Sequence, residues 1–102
     1  MSEAARLDLS DEHRRIVLSI LHEHLPAATT VWVFGSRATG RARRYSDLDL
    51  AIDAGRALTL DESARLRESF DDSDLPYRVD IVDWRTASDR FRAIIAATRV
   101  PV

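Results

Sequence analysis

Thr30-Val31-Trp32-Val33-Phe34-Gly35-Ser36, ten intervening residues, and then Asp47-Leu48-Asp49-Leu50-Ala51-Ile52-Asp53 are the runs that decide the fold. The first gathers β-branched and aromatic residues and stops at a glycine, which predicts a short buried strand over Thr30–Phe34. The second alternates strictly. Leu48, Leu50 and Ile52 share one face of a strand, and Asp47, Asp49, Ala51 and Asp53 share the other. Between the two runs, residues 36–46 hold Gly40 and four arginines, room for a short helix and a turn. That is too little for a right-handed parallel crossover, so antiparallel pairing of the two strands is favoured.

Outward from these runs, Ile16, Val17, Ile20, Leu21 and Leu25 recur at helical spacing and predict a helix over Asp11–His24. Ser10 is its N-cap, Asp11 and Glu12 suit the positive end of its dipole, and Pro26 ends it. A weaker amphipathic stretch covers Asp61–Phe70 and is broken by the polar run Asp71–Asp74 and by Pro76. Tyr77–Val82 reads as a third strand, and Ser88–Thr98 as a last helix with Phe91, Ile94 and Ile95 facing inward. The expected architecture is α/β (α+β): one domain over 1–102, with a small mixed sheet flanked by helices.

Composition removes several alternatives. With 102 residues and a net charge of −2, no global basic field draws the chain onto nucleic acid, and direct nucleic-acid binding is not expected. All 15 basic residues are arginine, from which no function follows. The absence of cysteine excludes disulfides, thiolate metal sites and cysteine nucleophiles. Met1–Leu9 is too polar for a signal peptide and no apolar run reaches the length of a membrane span, so no membrane association and a cytoplasmic location are expected.

Chemistry concentrates around the two deciding runs. Asp47 and Asp49, two apart on a strand, project from one face with Cα atoms about 6–7 Å apart. From there their carboxylates can converge on cations roughly 3.5–4 Å from each other, and oxygen-only ligands suit Mg²⁺. Asp-x-Asp alone, however, is far more often the solvated face of an edge strand. Gly35 and Ser36 follow a strand and open a short helical stretch, where a phosphate can approach the backbone closely and meet amides and a hydroxyl. Gly-Ser alone is an ordinary strand-to-helix turn. Asp80 stands among Val79, Ile81 and Val82, where a lone carboxylate would be costly unless it bound a metal or paired with an arginine. Asp83 has the opposite strand parity and starts the exit loop. His13, His22 and His24 lack the spacing that puts two on one zinc and read as surface or helix-end residues; Trp32 and Trp84 read as packing. Arg41, Arg43 and Arg44 could meet phosphate or a partner but read first as solvated charges, and Tyr45 is expected near the cleft, where it could be modified although nothing in the sequence demands it.

The combination is more specific than its parts. Gly-Ser-x₁₀-Asp-x-Asp should arise by chance in roughly one chain in a thousand of this length at average residue usage. Val33-Phe34-Gly35-Ser36, Ser46-Asp47-Leu48-Asp49-Leu50 and Val79-Asp80-Ile81 resemble, position for position, the signature of the DNA polymerase β-type nucleotidyltransferases, and so imply the nucleotidyltransferase fold. Gly-Ser-Arg-Ala ahead of Ser-Asp-Leu-Asp-Leu is similar to the minimal nucleotidyltransferase (MNT) antitoxins, whose partners are HEPN-domain toxins, helical ribonucleases.

The resemblance implies that Asp47 and Asp49 bridge two Mg²⁺ ions, and that Asp80 completes the catalytic metal site and helps to position or deprotonate an incoming hydroxyl. It further implies that Ser36 and the amide after Gly35 hold the triphosphate of ATP, with Arg37 neutralising developing charge. The implied activity is transfer of AMP to a hydroxyl, a tyrosine for preference, on a HEPN toxin. A bulky anion would then stand where the toxin must bind anionic RNA. Two other readings use the same residues. In one the antitoxin masks its partner without catalysis; in the other the acceptor is a small molecule, which the lack of a second domain disfavours.

Overall fold

The computed structural model describes residues 7–102, so the first six residues of the Met1–Leu9 reading lie outside it. Helix α1 spans Asp11–His24 as expected: the Ser10 side chain accepts from the His13 amide, and Val17, Ile20 and Leu21 form its buried stripe. At its end Leu25 turns extended, which is the conformation a following proline demands. No helix among the described residues is long and apolar enough to cross a membrane.

Strands β1 (Thr30–Phe34), β2 (Leu48–Asp53), β3 (Val79–Asp83) and β4 (Val100–Pro101) form one sheet in the order β3-β2-β1-β4. β1 and β2 pair antiparallel, from Thr30 opposite Asp53 to Phe34 opposite Asp49. The intervening helix α2, Ser36–Thr39, is a single turn closed by Gly40 in the left-handed conformation. β2 and β3 pair parallel, which requires a crossover. Helix α3, Leu60–Asp71, supplies it and starts from a capping box in which Thr59 and Glu62 satisfy each other's backbone amides. The Arg56 guanidinium on Glu62 reinforces that cap and holds the Glu62 carboxyl down to about 2.

β4 was not anticipated. Its two residues lie opposite Trp32 and Val33 at a sheet edge, where a proline without an amide hydrogen is tolerated. The strand is too short to leave an alternation in the sequence.

Side-chain parity divides the sheet into two faces. Val33, Leu48, Leu50, Ile52, Val79 and Ile81 point toward α1 and α3 and join Val17, Leu21, Leu66 and Phe70 in the main core. Burying one such side chain fully stabilises the fold by about 1.5–3 kcal/mol. The opposite face carries Phe34 and Ala51 under Ile95 of helix α4, Asp89–Thr98, with Trp32, Val82, Trp84 and Phe91 around them. Ile94, expected to face inward, is 54% exposed. Phe91, Ile95 and Thr98 are spaced i, i+4, i+7 and take the sheet side of α4, which rotates Ile94 outward.

Leu50 lies in the central strand pair with no solvent exposure. Leu50→Ala is expected to cost about 2–5 kcal/mol, by lost transfer energy and an unfilled cavity. In a domain of this size each kcal/mol lowers Tm by about 4–8 °C, so a circular-dichroism melt should fall by at least about 8 °C. A smaller fall would mean that the site collapses around the truncation.

Candidate active site

β1 runs into the same end of the sheet from which β2 and β3 start, so the turn after Phe34 meets the first residues of the two later strands. Gly35 occupies φ +76°, a conformation that side chains disfavour. It is needed for a second reason. A Cβ at Gly35 would stand 2.6 Å from Asp49 Oδ2, closer than any real contact, so the backbone presses against the carboxylate because nothing lies between. The Gly35 amide donates to Thr98 Oγ1 at 3.3 Å, which ties the turn to the last turn of α4. Sequence reasoning missed Thr98, a helix-end hydroxyl 63 residues away with no local signal.

Asp49 and Asp80 are register partners across the parallel β2–β3 pair. Their Cα atoms are about 5 Å apart on neighbouring strands, and both side chains take the face opposite the main core. Asp47, two residues earlier, lies just before β2 and not in it, and is exposed. Burial raises the Asp49 carboxyl above its ordinary value, and the charges of Asp80 and then Asp47 push it further in the same direction. Of the three aspartates expected to act together, Asp47 and Asp80 thus each bear on Asp49.

Asp80 departs from expectation in one respect. It is not enclosed by apolar side chains, because Val79 and Ile81 point to the other face; its side chain is 41% exposed, and its Oδ1 lies 3.3 Å from Arg78 Nε. That arginine is itself 75% exposed, and pairs of this kind contribute little.

The acids at the far end of the strands have other employment. Arg85 Nε donates to Asp53 Oδ1 at 2.8 Å, and this guanidinium, with the Gly55 amide, holds the Asp53 carboxyl below its ordinary range. Asp83 accepts from the amides of Leu58 and Arg85 and fixes the exit loop, as its strand parity suggested.

Arg37 does not stand in the cleft as a free cation. It is 4% exposed; Nε and Nη2 donate to the Ser46 carbonyl at 3.0 and 2.8 Å, Nη2 also to the Arg44 carbonyl, and Nη1 to the Asp8 carbonyl. Its guanidinium lies 3.9 Å from the centre of the Tyr77 ring. The expectation that it neutralises charge on a nucleotide therefore gives way to a role within the fold. Arg41, Arg43 and Arg44 are exposed, as is Tyr45 at 63%. His13 and His24, expected as surface or helix-end residues, are half-buried against Tyr77 Oη and Ser69 Oγ, and His24 is the last residue of α1. Trp32 and Trp84 pack against each other with Arg99 over both rings.

The donor set suits a hard divalent cation: carboxylate oxygens only, two of them fixed side by side by strand register. Among the described residues no three acidic or histidine side chains close around one point. Asp80 is turned to Arg78. Ser36 is the first residue of α2; one helical turn has little dipole, so anion binding there would depend on the turn's amides and the Ser36 hydroxyl. A hollow of about 540 Å³ between α1 and the end of α3 holds none of these residues.

With this geometry in hand, comparison with known proteins is specific. The family described as "Polymerase beta, Nucleotidyltransferase" matches residues 17–102. A relative from Haemophilus influenzae named "Probable protein adenylyltransferase MntA" is 47% identical over 102 residues, all of this chain and 89% of the relative. Among solved structures, a toxin–antitoxin crystallised with AMP-PNP superposes with a TM-score of 0.74 at 26% identity, over 85% of this chain and 69% of that one. The fold is also that of an MNT antitoxin in complex with a tri-AMPylated Shewanella oneidensis HEPN toxin, with TM-score 0.60 and 21% identity over 85% of this chain and 66% of that one. The α/β architecture, with the Gly35 turn against Asp49, is that of a nucleotidyltransferase. The chain belongs to the polymerase beta nucleotidyltransferase family, and within it resembles the minimal nucleotidyltransferase antitoxins.

Two outcomes follow from this geometry. Gly35→Ala forces either the Asp49 carboxylate or the turn to move, and should abolish nucleotide-dependent thermal stabilisation while the sheet still folds. Retained stabilisation would show that the close approach is dispensable. Asp49→Asn should raise the Tm of metal-free protein at pH 7. A carboxyl held above 3.8 in the folded state costs stability wherever it is ionised. Below pH 3.8 both states bind the proton and the cost disappears, so the gain should fade on acidification. An Asn variant that melts lower than wild type at neutral pH would contradict the repulsion.

Proposed function

We propose that this chain is an antitoxin that transfers AMP from ATP to a tyrosine hydroxyl of a HEPN ribonuclease partner and thereby silences it. The observation that carries the reading is the register of Asp49 beside Asp80, with the Gly35 turn pressed against the Asp49 carboxylate. Names of relatives support it: an adenylyltransferase MntA at 47% identity and a neighbour whose HEPN toxin carries AMP. The acceptor as a tyrosine and Mg²⁺ as the metal are part of the proposal.

In this reading Asp47, Asp49 and Asp80 are the residues that would hold Mg²⁺. Such ions supply Lewis-acid stabilisation of the charge that develops on the phosphoryl oxygens and on the leaving pyrophosphate. Ser36 and its amide hold the triphosphate beside Asp49. The tyrosine oxygen attacks the α-phosphorus, its bond to that phosphorus forms as the bond to the bridging oxygen of pyrophosphate breaks, and Asp80 accepts the phenolic proton. The modified partner carries a new anion that repels RNA phosphates.

The test is transfer of label from [α-³²P]ATP to a purified HEPN protein in the presence of Mg²⁺. Paired substitution Asp47→Asn and Asp49→Asn should cut transfer by about a thousandfold or more, the loss expected when several kcal/mol of metal stabilisation is removed. It should also fail to protect cells from the toxin. Protection by the double variant would favour masking, and label on a sugar or antibiotic instead of protein would favour a small-molecule acceptor.

A further inference from the structure

We propose that Arg37 is a positioning residue: its buried guanidinium fixes the peptide group leading into Asp47 and so couples the Gly35–Ser36 turn to the metal-binding carboxylates. The proposal rests on the reading of Asp47 as a metal ligand. Asp49 and Asp80 are placed by the β2–β3 ladder, but Asp47 precedes the strand and has only its neighbours in the chain to hold it. On its C-terminal side the Leu48 amide donates to the Arg78 carbonyl at 2.8 Å. On its N-terminal side the Ser46 carbonyl, which shares a peptide plane with the Asp47 amide, accepts from both Arg37 Nε and Nη2. Those two bonds fix the plane from which the Asp47 side chain departs.

Little else can do so. The loop before Asp47 carries Arg41, Arg43 and Arg44, all exposed and of like charge, and an exposed Tyr45. Its own internal bonds join Ser46 to Arg43: the Ser46 amide donates to the Arg43 carbonyl, and the Arg43 amide to Ser46 Oγ. These close the loop on itself, and at its start the Arg41 amide donates to the Ser36 carbonyl at 3.0 Å, five residues short of Ser46. Arg37 ties it, through the Arg44 and Ser46 carbonyls, to the residue that follows Ser36.

The guanidinium is itself held from three directions. Asp8 holds the residue at both ends, its amide donating to the Arg37 backbone carbonyl at 2.7 Å and its carbonyl accepting from the guanidinium Nη1 at 3.2 Å. The Tyr77 ring lies against the other surface, three residues before Asp80. A planar fork of donors meets these carbonyls simultaneously; a lysine ammonium cannot reproduce either the fork or the stacking. One side chain thus sets the spacing between the turn proposed to hold phosphate and the first proposed metal ligand.

The test compares wild type, Arg37→Lys and Ile20→Val, the last a small core change on α1 away from the site. Free Mn²⁺ is read by electron paramagnetic resonance during titration in the presence of AMP-PNP, with folding checked by circular dichroism. Arg37→Lys should weaken Mn²⁺ binding about 10–100-fold, the range seen when a group orienting a metal ligand is removed. Ile20→Val should titrate like wild type. If Arg37→Lys does not fold, Tyr77→Leu, which withdraws the ring beneath the guanidinium, should shift the titration in the same direction. A folded Arg37→Lys with unchanged Mn²⁺ affinity overturns the proposal, as does an equal shift in Ile20→Val, which would reduce the effect to lost stability. A shift confined to Arg37→Lys with no AMP transfer by wild type would retire the proposed function and leave the positioning role standing. Failure of wild type to bind Mn²⁺ would remove both.

Discussion

Parallel pairing of β2 with β3 sets Asp49 beside Asp80, and the remainder of the structure supports that placement of like charges. Two carboxylates on adjacent strands repel each other, and Asp49 shows it in a carboxyl raised by burial and by its acidic neighbours. The compensation lies on the reverse of the same strand. Leu48, Leu50 and Ile52 are fully buried there against α1 and α3. At about 1.5–3 kcal/mol for each side chain, this face outweighs the repulsion on the other. One strand can therefore hold a strained polar site and anchor the core, because successive side chains point to opposite faces.

Which acids stay free is decided by neighbours, not by residue type. Asp49 and Asp53 lie on the same face of β2, four residues apart, and nothing in the alternation distinguishes them. Asp53 meets the Arg85 guanidinium and is held low; Asp49 meets Asp80 and the Gly35 turn and is held high. The strand is polarised along its length, with structural ion pairing at one end and uncompensated charge at the end where the Gly35 turn arrives. That end is where a cation would find oxygen ligands without first displacing a strong ion pair.

Arginine is used in several ways for a chain with no lysine. Arg85 and Arg56 neutralise carboxylates, Arg99 covers two indole rings, and Arg37 is buried among carbonyls. The buried case depends on charge-assisted bonds to backbone oxygens and on a flat ring to lie against, since an unpaired guanidinium could not be taken out of water. Asp8 contributes a carboxylate 3.8 Å away, but it is half exposed, and the carbonyls carry the contact.

The sequence by itself determined the parts whose causes are local. The bounds of α1, the strand character of Thr30–Phe34, the alternation after Leu48 and the antiparallel return between them follow from periodicity, capping and connection length. So does the shared face of Asp49 and Asp53, because parity needs only the strand, whereas Asp47, expected on that face too, falls just before β2. Tertiary structure alone decided what depends on distant partners. The capture of Arg37 by Asp8, Ser46 and Tyr77, the Thr98 bond to the Gly35 amide, the outward turn of Ile94 and the two-residue edge strand leave no periodic trace. Asp80 shows the division within one residue: its strand was legible, whereas its exposure and its place beside Asp49 were fixed only when β3 took its register on β2.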